Sequence, residues 1–360
     1  MRRSCAGPRA TTRTSPTAGC SPSRPRRGTA YLNDINGGHV TEDVAIAALE
    51  AAASGPVEEG SVGGGTGMNC YDFKGGSGTA AGPICLTNTH AVGIAHPAIV
   101  RWTARHHPQV ADGWLLPVAT ETWDGYLNDI NGGHVTEDVA IAALEAAASG
   151  PVEEGSVGGG TGMNCYDFKG GSGTASRIVG FAGEDYAVGV FVQANFGDRR
   201  ELVVAGVPVG EALADDDPIG DFYAPPGAGS IVAIVATDAP LLPQQCAALA
   251  RRVTTGIART GTAGSHFSGD LFLALSTGNP GAFTPGYETF QHTGSDELAA
   301  LRFVPWGAMD PYFTAVVQAT EEAILDAIVA NEAMIGYQGH RSPALPRDRL
   351  AALLDDRLVR

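Results

Sequence analysis

The sequence predicts a mixed α/β protein whose sheets are covered by layers of helix. Two observations predict it. Residues 230–236 and 271–275 are continuous apolar runs bounded by turn residues, the pattern of strands buried on both faces. Helical patterns open at Thr136, Pro243 and Pro311, and strands buried on both sides need helices to cover them. A chain of 360 residues is long enough for one large core or two smaller ones.

In chain order, Thr136 is placed to cap a helix, with Glu137 and Asp138 in its positive first turn and Ser149-Gly150 ending it. Residues 177–181 and 186–194 read as two strands around a Gly183-Glu184-Asp185 turn; Tyr186, Val188, Val190 and Val192 alternate onto one face. The loop Pro225-Pro226-Gly227-Ala228-Gly229 then runs straight into the strand that begins at Ser230. Pro243 suits the first position of a helix reaching residue 259. Pro311 similarly opens a pattern through Val317, Ile324 and Ile328 to about residue 334.

Composition narrows the function. A net charge of −16 argues against nucleic-acid binding. No apolar run approaches the roughly 18–20 residues of a membrane span. The six cysteines (5, 20, 70, 85, 165 and 246) form no CxxC pair, which fits a reducing, cytoplasmic setting. The nine histidines have no metal-ligand spacing, so no metal is expected, and no organic cofactor is implied. The loop Gly158-Gly159-Gly160-Thr161-Gly162 lacks the Gly-Lys-Ser/Thr of a phosphate loop. Asp215-Asp216-Asp217 reads as a solvated surface loop.

The organisation is unusual. Residues 31–80 and 126–175 are identical throughout, and two undiverged copies do not read as a stacked repeat architecture. They read as a recent duplication or a chimera, with the second copy native. Residues 1–30 carry seven arginines and no acidic residue; prolines 8, 16, 22 and 25 spoil an amphipathic helix, so a disordered or spurious leader is expected.

The junction at Gly229-Ser230 carries the most chemistry. Gly229 offers no side chain to obstruct attack by the Ser230 hydroxyl on its carbonyl, and cleavage there would make Ser230 a new N-terminus. Its α-amino group, with a reference pKa of about 8, would then serve as base for its own hydroxyl. Read from spacing alone, an ordinary loop-to-strand turn explains the same residues at least as well. Ser268 and Asp270, two apart at a strand entry, share a face in extended structure, though Ser268-Gly269-Asp270 also reads as a plain turn. Asn195 ends an apolar strand, where an amide N–H suits an oxyanion donor. In Glu121-Thr122-Trp123-Asp124-Gly125-Tyr126, a carboxylate could hold an amine and an aromatic could wall a pocket.

These segments, with Gly158–Met163, Phe168-Lys169-Gly170-Gly171, Gln193-Ala194-Asn195-Phe196-Gly197 and Gly339-His340-Arg341-Ser342-Pro343, resemble in order the L-aminopeptidase/D-esterase and β-aminopeptidase family. The resemblance covers residues 82–360. It implies a four-layer αββα sandwich made as one precursor that cuts itself before a serine, giving an alpha part to residue 229 and a beta part from 230. It implies Ser230 as nucleophile, Ser268 and Asp270 beside it (with Ser265 as the nearby alternative to Ser268), and Asn195 at the oxyanion. Glu121 would hold the substrate amine, Trp123 or Tyr126 would flank it, and the backbone of Gly159 and Gly160 would line the cleft. Short peptides, amides or esters are the implied substrates, and a homo-oligomer of processed heterodimers the implied assembly. The family has asparagine where this chain has Ser156, and its opening segment is not found; residues 1–80 stand in that place. Two alternatives belong beside this reading: the related ornithine acetyltransferases, which place threonine at the nucleophile, and an inactive, unprocessed chimeric chain.

Overall fold

The computed structural model describes residues 83–358, apart from 109–110, 112–114, 116, 149, 221, 223–228, 280–286, 289–290 and 293–299, together with 69–70 and 73–74. The leader and most of the first repeat copy therefore lie outside the described residues. The chain divides into two compact units, 1–79 and 80–360.

In the first unit, Asn69–Cys70 pairs antiparallel with Phe73–Lys74. The same sequence in the second copy forms the same hairpin, Asn164–Cys165 with Phe168–Lys169. Its turn residues Tyr166 and Asp167 have φ of 52° and 54°, the positive values that a two-residue hairpin turn of matching twist requires.

The second unit begins with β1 (Ile84–Asn88) and β2 (Val118–Thr122), which pair in parallel from Ile84–Val118 to Asn88–Thr122. Parallel neighbours need a long crossover, and α1 (Val92–His106) lies in it. Helix α2 (Glu137–Ala146) packs on α1 through Ala98, Ala140, Ile141 and Trp102. Thr136 is its N-cap, accepting from the Val139 N–H at 3.4 Å as the sequence predicts. The helix stops at Ala146, earlier than the predicted Ser149-Gly150, because Ala147 turns to an extended backbone with ψ of 124°.

The main sheet has the order β6–β5–β4–β3, with β3 (Gly171–Phe181), β4 (Glu184–Asn195), β5 (Ser230–Thr237) and β6 (Leu271–Ser276). Strands β3, β4 and β5 run antiparallel in sequence, and β5 pairs in parallel with β6. Helix α3 (Pro243–Arg259) lies in that crossover and opens at Pro243 as predicted. The β3–β4 turn sits at Ala182-Gly183, with φ of 55° and 84°, so Glu184 and Asp185 are already in the strand. Strand β3 starts six residues before the predicted 177, at a glycine-rich stretch that reads locally as loop. Gly173 explains it: a Cβ there would strike the Ala323 carbonyl, so the missing side chain lets a helix lie directly on the strand.

That helix is α4 (Asp310–Val329). It ends before the predicted residue 334 because Asn331 turns back. The Asn331 amide donates to the Ala327 carbonyl at 2.7 Å and the Gly170 carbonyl at 3.0 Å, closing the helix end and tying it to the start of β3. Met334–Ile335 then pairs with Arg341–Ser342, and α5 (Arg347–Leu358) follows.

Helices α3 and α4 cover one face of the main sheet, β1–β2 lies against the other, and α1 and α2 lie outside β1–β2. The layers are therefore α, β, β, α, as the resemblance implies. Val188, Val190, Val192 and Ala194 of β4, with Ile231, Ala233 and Val235 of β5, share one core with Val253 of α3 and Tyr312, Val316 and Ile324 of α4. The two-residue period of a strand sends Gln193, Asn195, Ser230 and Val232 to the opposite face, into the gap between the sheets. Burying each of these Val and Ile side chains stabilises by roughly 1.5–3 kcal/mol, so a one-residue slip that exchanged the faces is excluded.

Candidate active site

Ser230 is the first residue of β5 and is paired directly with Asn195, the last residue of β4. Residues directly opposite in an antiparallel pair share a face, so both side chains enter the inter-sheet gap. Gly229 precedes Ser230 with φ of 153°, and a Cβ there would run into the Asn195 carbonyl. Only glycine fits this position, for a packing reason beyond the chemical one read from the sequence.

The nucleophile candidate is held from its other side. The Gly269 N–H donates to Ser230 Oγ at 3.0 Å. Asp270 Oδ1 accepts from the Ser268 hydroxyl and from the Ile231 N–H, the latter at 3.3 Å. The parallel register, with Val232 opposite Leu271, brings this turn beside Ser230. Ser265 is occupied elsewhere: its Oγ accepts from the Phe267 N–H at 3.2 Å within the preceding turn.

Asn195 is buried, and its Oδ1 accepts from the Asn164 N–H at 2.8 Å. That bond fixes the amide so that its NH2 end is the one left to donate. The hairpin of residues 164–169 provides the Asn164 N–H, and Lys169 anchors the loop before it. The Lys169 ammonium is fully buried and donates to the carbonyls of Gly170 at 2.6 Å, Met163 at 3.0 Å and Gly160 at 3.4 Å. Burial pulls its pKa down to about 7. Asp167, in the hairpin turn, is pushed up to about 7, first by burial and then by the nearby Asp217 carboxylate.

Gln193 joins the two sheets. Its Nε2 donates to the Thr122 hydroxyl at 2.7 Å and the Thr87 carbonyl at 2.9 Å. It lies two residues before Asn195, about 7 Å along the strand. The end of β2, with Glu121 and Thr122, is thereby bound to the same end of the main sheet as Ser230. In the sequence Gln193 stands in its motif without a role; an amide in the middle of an apolar strand is the signal that marks it, and the structure buries it.

Glu121 is half-buried, and the Thr89 hydroxyl donates to its Oε2. Trp123 is 36% exposed, with its indole over Gly125, where a Cβ would strike the ring. Asp124, beneath them, accepts on Oδ2 from Asn128 at 2.9 Å and Asn88 at 3.1 Å. Burial raises its pKa, against the lowering effect of both amides. Tyr126 is buried; its hydroxyl donates towards the carbonyls of Arg341 at 3.1 Å and Pro218 at 3.4 Å. Its ring stacks on His340 at 4.8 Å and meets Phe222 edge-on at 5.1 Å. Of the two aromatics, Trp123 is the exposed one.

Gly159 and Gly160 form a short 3₁₀ turn with Gly158. A Cβ on Gly159 would strike the Gln193 amide and the Leu86 carbonyl, and one on Gly160 would strike Ser172. Close packing between the sheets therefore demands both glycines. Ser156 is also tied in: its hydroxyl donates to Asn331 Oδ1 at 2.6 Å. The three aspartates at 215–217 are ion-paired rather than merely solvated. Asp215 bonds Arg349 at 2.8 Å and Asp216 bonds Arg341, which holds both carboxyls below the usual range. Among the described residues, no group of His, Cys, Asp and Glu could hold a metal ion.

The profile of peptidase family S58 matches residues 27–82 and 80–342. The chain belongs to peptidase family S58. It is 45% identical over 283 residues to the β-peptidyl aminopeptidase BapA of Sphingosinicella microcystinivorans, covering 76% of this chain and 69% of that protein. Two solved structures are 42% identical to it, each with a TM-score of 0.67 and covering 75% of this chain and 72% of the other. One is the L-aminopeptidase D-Ala-esterase/amidase of Ochrobactrum anthropi, described as a prototype serine aminopeptidase with a variant of the Ntn hydrolase fold. The other is a Burkholderia β-aminopeptidase. This S58 member is a hydrolase of the aminopeptidase class with that fold.

Proposed function

We propose that this S58 chain cleaves itself between Gly229 and Ser230 and then acts as an N-terminal-serine aminopeptidase on short peptides, amides or esters. The observation that carries the reading is the Ser230–Asn195 pair, with the Gly269 N–H on Ser230 Oγ. In maturation, Ser230 Oγ attacks the Gly229 carbonyl carbon and the C–N bond to Ser230 breaks. The hydroxyl proton ends on the freed amine, and the acyl group sits on Oγ as an ester. Water then releases the Gly229 carboxylate.

The freed α-amine, with a reference pKa of about 8, becomes the base for Oγ in catalysis. Glu121 pairs with the ammonium of the substrate and Trp123 walls it. Oγ attacks the substrate carbonyl, while the Asn195 amide and neighbouring N–H groups stabilise the oxyanion. The leaving amine or alcohol takes the proton, and water cleaves the acyl-enzyme. Asp270 orients Ser268 beside this proton path.

The two parts would stay together, because β4 belongs to the alpha part and β5 to the beta part, and they pair from Asn195–Ser230 to Val188–Thr237. Assembly of these pairs into a homo-oligomer belongs to the same reading. A cytoplasmic setting suits the free thiols of Cys85, Cys165 and Cys246, and no described helix is long and apolar enough to cross a membrane.

Intact-mass analysis of the purified chain tests the proposal. Fragments 1–229 and 230–360 with activity on an aminoacyl p-nitroanilide are expected, together with an uncut, inactive Ser230→Ala chain. A wild-type chain that stays full-length and inactive overturns it.

A further inference from the structure

The Glu-Thr-Trp-Asp motif carries two carboxylates at the end of β2, and the dipeptide Asn88-Thr89 at the end of β1 contacts both. The Thr89 hydroxyl donates to Glu121 Oε2, and Asn88 Nδ2 donates to Asp124 Oδ2 at 3.1 Å. Asn88 is itself locked. Its Oδ1 accepts from the Ala91 N–H at 3.1 Å, capping the turn Thr89–Ala91. Both ends of the Asn88 amide are thus engaged, and Thr89 has little freedom to leave Glu121. The parallel register, Thr87 opposite Glu121 and Asn88 opposite Thr122, fixes how far Thr89 projects past the strand end.

A glutamate has three rotatable side-chain bonds, and ordering such a side chain costs conformational entropy. A carboxylate that must meet an ammonium in one orientation loses affinity if that cost falls at binding. The Thr89 bond meets it beforehand. It occupies Oε2 and leaves Oε1 as the oxygen that receives no hydrogen bond from the described residues.

We propose that Thr89 is a positioning residue for recognition of the substrate's free amine, holding Glu121 through Oε2 so that Oε1 faces the ammonium. This rests on the reading of Glu121 as the amine anchor. It adds a residue outside the motif, in the turn just past the end of the neighbouring strand, whose hydroxyl sets the selectivity for substrates that carry an amine.

The test compares an L-alanyl p-nitrophenyl ester with its desamino analogue, the propionyl ester, using the processed protein with both parts, 1–229 and 230–360, present. The readout is the ratio of their kcat/KM values. Thr89→Val keeps the shape and removes the donor; the ratio should fall about tenfold, mainly through a higher KM for the amine-bearing ester. Thr89→Ser should restore the ratio to within twofold of wild type. Mass analysis of both variants confirms processing, and Thr89→Ala gives the same comparison with less steric demand if Thr89→Val does not fold. Glu121→Gln separates the two levels. If it leaves the ratio unchanged, the anchor reading itself fails. If it collapses the ratio while Thr89→Val and Thr89→Ala leave it at the wild-type value, Glu121 is the anchor and the role of Thr89 is overturned. A fall in Thr89→Val that Thr89→Ser does not restore also overturns it, because the hydroxyl would not be the cause.

Discussion

Ser230 and Asn195 stand directly opposite each other across β5 and β4, both on the face turned towards the second sheet. The hydroxyl and the amide are therefore set by sheet register. The apolar residues that alternate with them on both strands fix that register, and Ile231, Ala194 and Ala233 are completely buried.

Removing the amide should lower turnover without weakening substrate binding. Asn195→Ala is expected to reduce kcat by about 10²–10³-fold, the usual cost of one oxyanion donor, with KM within threefold of wild type. Steady-state kinetics on an aminoacyl p-nitroanilide measure this. A rise in KM with kcat unchanged would assign Asn195 to ground-state binding.

Asp270 accepts from Ser268 and the Ile231 N–H, so it orients the turn beside Ser230. Asp270→Asn keeps an acceptor but removes the charge. Self-cleavage should slow by at least about tenfold, as the time course of fragment formation by mass spectrometry would show, since orienting and proton-transfer groups contribute factors of this size or more. Cleavage at the wild-type rate would remove Asp270 from the proton path.

Gln193→Leu tests the link between the sheets. It leaves the Thr87 carbonyl without the Gln193 donor and deprives the Thr122 hydroxyl of the same partner, both buried. A loss of about 1–3 kcal/mol in urea unfolding is expected, with a larger fall in kcat/KM than in kcat as Glu121 loses its setting. A variant as stable as wild type would show that the glutamine is spare.

Asp167 gives a pH signature. Its folded pKa is raised to about 7 by burial, so between about pH 4 and 7 the folded state binds more protons than the unfolded state. The wild type therefore loses stability as pH rises through that window, and the deficit is complete above it. Asp167→Asn keeps the acceptor for the Arg199 N–H, a bond of 2.9 Å, and carries no charge. Its advantage in Tm over wild type should grow from pH 4.5 to pH 8, by the equivalent of on the order of 2–4 kcal/mol. Lys169, pulled down to about 7, shifts stability oppositely above pH 7, but equally in both proteins, and cancels in the difference. A flat difference would show that the carboxylate is not buried against its charge.

Much of the architecture was legible because its signals are local. Thr136 capped a helix, Pro243 opened one, and the apolar run at 230–236 became β5, since capping, fixed φ and period-two burial act within a few residues. The duplicated Asn-Cys-Tyr-Asp-Phe-Lys segment pairs its strands in the same register in both copies, as a locally set two-residue connection should. Element ends depart from the local pattern where distant partners decide them. Strand β3 extends through glycines because α4 lies on them, and α4 ends early because Asn331 bonds to the start of β3.

For the site, the chain's residues alone set the chemical types and their order: a small residue before Ser230, a hydroxyl and a carboxylate at 268 and 270, an amide ending β4, and a carboxylate at 121. Folding in three dimensions is what exposes Trp123 and buries Tyr126 against His340, brings the Gly269 N–H to Ser230, and sets Thr89 on Glu121. Covalent spacing and strand period are properties of the chain, readable one segment at a time. Hydrogen bonds between residues more than thirty apart, such as Thr89 to Glu121 and Gly269 to Ser230, exist only after a crossover has brought two distant strands side by side in register.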